Sequence, residues 1–111
     1  GPLLETYLLH ELRASIQRSG CGGELAYWRT PSGSEVDFVW TRGAKAVGIE
    51  VKGAHRWRRE DGAALSSLHA EKTIRKAFGV YLGREVVRAG SVLVLPLRQF
   101  LERLYAGDVL A

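Results

Sequence analysis

Two apolar runs, Ser34-Glu-Val-Asp-Phe-Val-Trp40 and Ala46-Val-Gly-Ile-Glu-Val-Lys52, flank a short basic turn, Arg42-Gly-Ala-Lys45, and each sets acidic groups among Val, Ile and Phe. Side chains on a strand alternate between its faces, so Glu50 and Lys52 point the same way and Val51 the other. Asp37 joins them if the two runs pair as a hairpin. Ions buried in a small sheet cost several kcal/mol unless they are paired or hold a metal. The stretch from Ser34 to Lys52 therefore points to a metal-dependent phosphodiester site carried on neighbouring strands.

Upstream of the hairpin, Leu3 to about Arg18 reads as an amphipathic helix, with Leu4, Leu8, Leu12 and Ile16 in an i, i+4 row. Ser19-Gly20 stops it. At about 100° per residue Glu5 falls between Leu12 and Ile16, inside the apolar stripe, while Glu11 lies nearer its edge. A carboxylate on that face either meets a catalytic cluster beneath the helix or complements the macrodipole at the helix start. Glu24 to Arg29 is a first strand, ended by Thr-Pro-Ser-Gly. Glu35 to Thr41 alternates, with Val36, Phe38 and Trp40 expected on one face and Glu35, Asp37 and Val39 on the other. With Ala46 to Val51, these form an antiparallel meander.

Downstream, Gly53 to Asp61 is polar and basic, and a helix is expected from about Glu60 to Ala77 with Leu65, Leu68 and Ile74 as its apolar contacts. Phe78 to Leu82 and Ser91 to Leu95 are two further strands separated by a turn region, Gly83 to Gly90, and Pro96 opens a last helix through Tyr105. The order helix, three strands, helix, strand, strand, helix predicts an α/β sandwich around a mixed sheet.

A chain of 111 residues is enough for one domain with a modest core, and its 46% apolar and 25% charged residues are those of an ordinary folded protein. No apolar run approaches the roughly 18 residues of a transmembrane helix and no signal peptide is visible, so a cytoplasmic location with no membrane partner is expected. Gly1-Pro2 before an immediate helix pattern suggests a domain cut from a longer protein. The single cysteine, Cys21 in Ser-Gly-Cys-Gly-Gly, excludes a disulfide framework and a Cys-rich zinc site, and reads as a loop residue. His10, His55 and His69 share no metal-ligand spacing. A serine-hydrolase elbow and a phosphate-binding P-loop are both missing, so any ATPase activity would reside elsewhere in a parent protein.

Mg²⁺ (or Mn²⁺) takes a few carboxylate oxygens and keeps several waters, so Asp37, Glu50 and the backbone carbonyl of Val51 make a credible half-shell. Such an ion activates water and offsets the charge developing on a phosphate, and Lys52 beside it would assist the attacking water or the phosphorus centre. The competing reading is an exposed same-face ion pair of Glu50 and Lys52, worth at most about 1 kcal/mol.

At this point the residues resemble a family. Gly1-x-x-x-Glu5, Ser32-Gly-Ser-Glu-Val-Asp-Phe-Val39 and Ile49-Glu-Val-Lys52 are similar to the motifs of the PD-(D/E)XK restriction-endonuclease-like superfamily. Within it, the chain looks most like the nuclease-like domain at the C-terminus of prokaryotic AAA-type ATPases, and the Val-Leu-Val-Leu-Pro run followed by an aromatic-containing helix extends the likeness nearly to the end. Val36 stands where the motif's name has proline. The resemblance implies an αβββαβ core, a Mg²⁺-dependent DNA endonuclease, and Asp37, Glu50 and Lys52 as the signature triad, with Glu5, or else Glu11, as the helix acid. It also implies an ATPase domain in the parent chain as a partner, and a homodimer for cutting both strands. The alternative is a silent nuclease-fold module that binds DNA or packs against an ATPase domain.

DNA is the natural substrate of such a site. Arg56, Arg58 and Arg59 follow the lysine closely, Arg29 precedes the motif and Lys72 lies on the expected second helix. The formal charge of +4 and pI near 9.6 permit phosphate contacts at these positions without demonstrating them. Trp57 would stack on a base or pack.

Overall fold

A computed structural model of the chain describes residues 2–111, so Gly1, which opens the Gly-x-x-x-Glu pattern, lies outside the described residues. The elements in order are α1 (Pro2–Ser19), β1 (Glu24–Arg29), β2 (Glu35–Arg42), β3 (Lys45–Val51), a 3-10 turn (Arg59–Gly62), α2 (Ala63–Ala70), β4 (Lys76–Tyr81), β5 (Val87–Ala89), β6 (Val92–Pro96) and α3 (Leu97–Tyr105). One six-stranded sheet runs β1-β2-β3-β4-β6-β5. The first three strands form the expected antiparallel meander, β3, β4 and β6 run parallel, and β5 is antiparallel to β6. The molecule is thus an α/β sandwich on a mixed sheet.

The two faces of the sheet are covered differently. Leu8 and Leu12 of α1, with Phe100 and Leu104 of α3, bury Phe38, Trp40, Val47, Ile49, Val51, Phe78 and Val80. This is the i, i+4 stripe of α1 doing what its spacing predicts, and Ser15 on the same stripe caps the contact by donating from Oγ to the Leu104 carbonyl at 3.5 Å. On the other face Leu65 and Leu68 of α2, with Ile74, cover Val36, Val39, Ala77, Tyr81, Val92 and Val94. Here the sheet must let its cover approach closely. A Cβ on Gly48 would lie 2.8 Å from atoms of both Leu65 and Ile74, and one on Gly79 would lie 2.6–2.9 Å from three atoms of the Trp57 ring. Gly79 needs glycine for space, while over Gly48 the flexible ends of Leu65 and Ile74 would have to shift.

Three expectations are corrected. The second helix does not reach Ala77: it ends at Ala70, Lys72 takes φ 64, and Arg75 donates its N–H to the Ala46 carbonyl, so Lys76 already begins β4. Ile74, which fits the helical stripe, packs from the connecting turn instead. The region between the last two strands contains β5, a three-residue edge strand. Finally, Val36 does not share a face with Phe38 and Trp40 but packs with Val39 on the α2 side. The register of β1 on β2 passes from Ala26↔Val39 to Trp28↔Val36, which leaves Asp37 and Phe38 opposite Tyr27. That one extra residue is a β-bulge, and bulges re-aim side chains.

Candidate functional site

The bulge falls on the residue that the hairpin pattern singled out. Up to Phe38↔Ile49 strands β2 and β3 are paired residue to residue. One step further, two carboxylates take over. The Asp37 N–H donates to Glu50 Oε1 at 3.1 Å, and the Val51 N–H donates to Asp37 Oδ2 at 2.8 Å. Each strand therefore satisfies the other's amide with a side chain, and β2 is freed to diverge without orphaning either buried N–H. Asp37 is brought to Glu50, as the hairpin pairing requires.

Lys52 completes the group. Alternation sets Gly48, Glu50 and Lys52 on the α2 face while Val51 is buried beneath α1 and α3. The Lys52 Nζ stands 3.7 Å from Glu50 Oε2, a long ion pair in which the glutamate side chain keeps only 12% of its exposure and the lysine 39%. The main chain fixes Lys52 as well, its N–H donating to the Val80 carbonyl of β4 at 2.8 Å. Among the described residues one oxygen of each carboxylate, Asp37 Oδ1 and Glu50 Oε2, is left without an amide donor.

Burial pushes the Glu50 carboxyl up from its ordinary 4.5 to about 7, and the charge of Asp37 pushes in the same direction; the Asp37 N–H and the Lys52 ammonium oppose them without prevailing. A source of the burial is visible in the register. Gly79 is level with Glu50 on β4, and the Trp57 ring stands over Gly79, so an indole fills the space beside the carboxylate. Trp57 meets Tyr81 edge to face at 6.4 Å and its Nε1 is buried without a partner among the described residues. Of the two roles open to it from sequence, Trp57 takes packing. Its place as the wall of the site was missed, and the available signal was Gly79 in the middle of an apolar strand, which marks a close approach.

Glu5 is not brought to the pair. It is exposed in the first turn of α1, and α1 covers the face opposite to the one Glu50 and Lys52 occupy. Its angle on the helical wheel is right, but that turn runs past the packed core, where Leu8 is the first fully buried residue. Glu11, the other candidate, accepts a hydrogen bond from the Tyr105 hydroxyl of α3. Among the described residues no group of three or more His, Cys, Asp or Glu side chains is placed to hold a metal ion. The acidic site is a pair.

The cationic candidates divide. Arg56, Arg58 and Arg59 are exposed in the segment following Lys52. Arg58 also starts the 3-10 turn, its N–H donating to Asp61 Oδ2 at 2.8 Å. Arg29 is engaged, pairing with Glu35 at 2.8 Å across β1 and β2. Lys72 stands in the turn after α2, next to the residues that lead into the first residue of β4, and so at the end of the sheet away from Glu50 and Lys52. No helix of the described residues is long and apolar enough to cross a membrane.

The model of a family described as a domain of unknown function, DUF4143, matches residues 1–100. The chain belongs to the DUF4143 family. The match spans α1 through the first half of α3 and so includes the whole sheet, the bulge and the acidic pair of this DUF4143 domain. No curated protein and no solved structure matches the chain.

Proposed function

We propose that the chain is a metal-dependent phosphodiesterase domain of the restriction-endonuclease-like kind, acting on DNA, with Asp37 and Glu50 as metal ligands and Lys52 as the cation that faces the scissile phosphate. The observation that carries this reading is the exchange of ladder bonds for carboxylates where β2 leaves β3: Glu50 is held by the Asp37 N–H and Asp37 by the Val51 N–H, with Lys52 at a long ion-pair distance from Glu50. Two carboxylates this close, one of them with its proton affinity raised to about 7, suit a cation that the chain itself only partly supplies.

The donor set fits Mg²⁺ or Mn²⁺. Asp37 Oδ1 and Glu50 Oε2 are hard oxygens without amide donors, and Mg²⁺ is satisfied by one or two carboxylates when waters complete its shell, with the Val51 carbonyl as a further candidate. When bound, the ion supplies Lewis-acid polarisation and an activated water. The chain's own residues do the rest. The two backbone clamps hold both carboxylates in place before substrate arrives, the Trp57 ring excludes water from one side of Glu50, and the Lys52 ammonium, still partly exposed, is free to meet a phosphate oxygen as its charge grows. Arg56, Arg58 and Arg59 extend from the same segment as phosphate contacts that position the strand without reading its sequence. An ATPase domain elsewhere in a longer chain and a second copy for double-strand cutting belong to the same reading.

A second reading is favoured by the exposed Glu5: with two acidic ligands rather than three, the domain would be a silent module of this fold that binds DNA or packs against an ATPase domain. Calorimetric titration with Mn²⁺ and Mg²⁺, run beside plasmid nicking by the parent, Asp37→Ala and Glu50→Ala proteins, separates the two. The catalytic reading expects saturable metal binding and a loss of nicking of at least about 100-fold in each variant. If the parent takes up no metal, or the three proteins nick alike, the silent module is the answer.

A further inference from the structure

The end of the sheet opposite the acidic pair carries a concentration of positive charge that the proposed function does not use. Where β4 and β6 begin, a concavity of about 360 Å³ is lined by His69, Arg75, Lys76, Arg88, Ser91 and Arg103. These come from five different places: the last turn of α2, the turn after it, the start of β4, the β5–β6 hairpin and α3. Asp108 is the one carboxylate in the lining. Among the described residues none of Arg75, Lys76, Arg88 or Arg103 has a carboxylate oxygen within 4.0 Å, since the ion pairs formed are Arg29–Glu35 and Lys52–Glu50.

Lys76 is the member of the lining that the fold ties down. Its Nζ is turned inward, donating to the Asp108 carbonyl at 3.2 Å and lying 6.0 Å from the centre of the Phe78 ring. Burial lowers its proton affinity and the nearby Lys45 lowers it further, against the pull of Asp108. Like charges gathered from separate elements around a concave surface repel one another, and an anion seated among them relieves that repulsion. Guanidinium groups approaching from several directions match the oxygens of a tetrahedral phosphate better than one planar carboxylate, which offers too few acceptors for them all.

We propose that this concavity is a second, metal-independent binding site for a phosphate group, with Arg75, Arg88 and Arg103 as its donors and Lys76 as its floor. It is separate from the acidic pair. Lys76 is four residues before Val80, the residue whose carbonyl holds Lys52, which places the two sites roughly 13 Å apart along the strands. The proposal does not rest on the nuclease reading. A phosphate could reach the site as a small phosphorylated molecule or as the backbone of a nucleic acid.

Amide NMR spectra recorded in EDTA while inorganic phosphate is added test the site directly. The expected result is saturable shifts at His69, Arg75, Ser91 and Arg103, with none at Asp37 or from Glu50 to Lys52. Fluorescence anisotropy with a labelled DNA duplex, also in EDTA, distinguishes the sources: if inorganic phosphate competes with the duplex, the backbone is a ligand of the site, and if phosphate binds while the duplex does not compete, the ligand is a small phosphate. In either case the Arg75→Gln/Arg103→Gln protein loses phosphate affinity by roughly tenfold, and where the duplex binds, the salt dependence of its affinity falls by about one to two phosphate contacts. Arg88→Gln alone, at an exposed edge position, gives a smaller loss and guards against misfolding of the double variant. Unsaturable shifts, unchanged affinity in folded variants, or equal competition by polyglutamate would each overturn the phosphate site, and none of these outcomes bears on Asp37 or Glu50.

Discussion

The two ends of β3 are built from the same kind of sequence and do different work. At its first residues the strand is an ordinary inner member, with Lys45, Ala46 and Val47 paired to Arg42, Thr41 and Trp40 on one side and Val47 level with Lys76 on the other. At its last residues the β4 side continues in register, but on the β2 side the ladder is replaced by Asp37 and Glu50. The difference is one residue inserted into β2 opposite Tyr27. A strand pair that stays in register uses up its amides and leaves nothing to hold a carboxylate, whereas a pair that parts needs an acceptor for each freed N–H. Acidic side chains meet that need and remain available on their second oxygen, so a small sheet acquires a polar site without an unsatisfied backbone.

The largest expected consequence separates the ends by pH. Glu50 has its carboxyl raised from 4.5 to about 7 in the folded chain, so the folded state binds more protons than the unfolded one between those values. Stability contributed by the protonated form is fully present below about pH 4.5 and is lost as pH rises through about 7, a loss of at most roughly 3 kcal/mol. Urea melts of the parent protein from pH 5 to 8 should show that decline, and Glu50→Gln should flatten it and be the more stable protein at pH 8. Mg²⁺ should restore part of the parent's stability at pH 8 and nothing in the variant. A decline of the same size in Glu50→Gln would locate the titration elsewhere.

Next come the two glycines that let the α2 face close. Gly48, near the middle of β3, is overlaid by the branch ends of Leu65 and Ile74, which can turn aside; Gly79, level with Glu50, is overlaid by three atoms of a rigid indole. Gly79→Ala should cost about 2–3 kcal/mol and Gly48→Ala about 1 kcal/mol. In a double-mutant cycle Trp57→Ala should recover most of the Gly79→Ala cost and none of the other. The same pair of substitutions should bring the Glu50 carboxyl back toward its ordinary value, because the wall beside it is removed. Additive effects of Gly79→Ala and Trp57→Ala would dissociate the ring from the site.

A smaller effect isolates the carboxylate bridge itself. Asp37→Asn removes the charge that helps hold Glu50 up but keeps an oxygen for the Val51 N–H, whereas Asp37→Ala leaves that amide without its acceptor. The alanine variant should be less stable than the asparagine variant by about 1 kcal/mol. Equal melting of the two would mean that the amide finds water instead.

The strands of this site were legible from their apolar runs and from the turn residues that bound them. Glu24–Arg29 begins and ends where its pattern does, and Glu50, Val51 and Lys52 take the faces that alternation dictates. The bulge was not legible, since a residue inserted between Val36 and Val39 leaves an apolar run that reads as unbroken alternation. The helix between β3 and β4 was drawn too long because Leu65, Leu68 and Ile74 keep a helical spacing across a break set by a left-handed Lys72, a conformation that lysine's composition does not announce. Glu5 has the correct angle and the wrong height: the helical wheel reports direction and says nothing of where the core stops.

Arg29 gives the smallest effect on stability and a direct test of the proposed DNA contact. Its guanidinium pairs with Glu35 at 2.8 Å in full view of solvent, and the neighbouring Tyr27 hydroxyl and Arg29 together lower the proton affinity of Glu35. Exposed pairs of this sort contribute little to folding, so Arg29→Ala and Glu35→Ala should both leave the melting temperature unchanged. DNA binding at low salt distinguishes them. If Arg29 serves phosphates at the diverging end of β2, Glu35→Ala frees it and should tighten binding while Arg29→Ala weakens it. If the two changes leave binding alike, Arg29 is spoken for by Glu35, and the proposed phosphate contacts at this end of the sheet are left to the segment after Lys52.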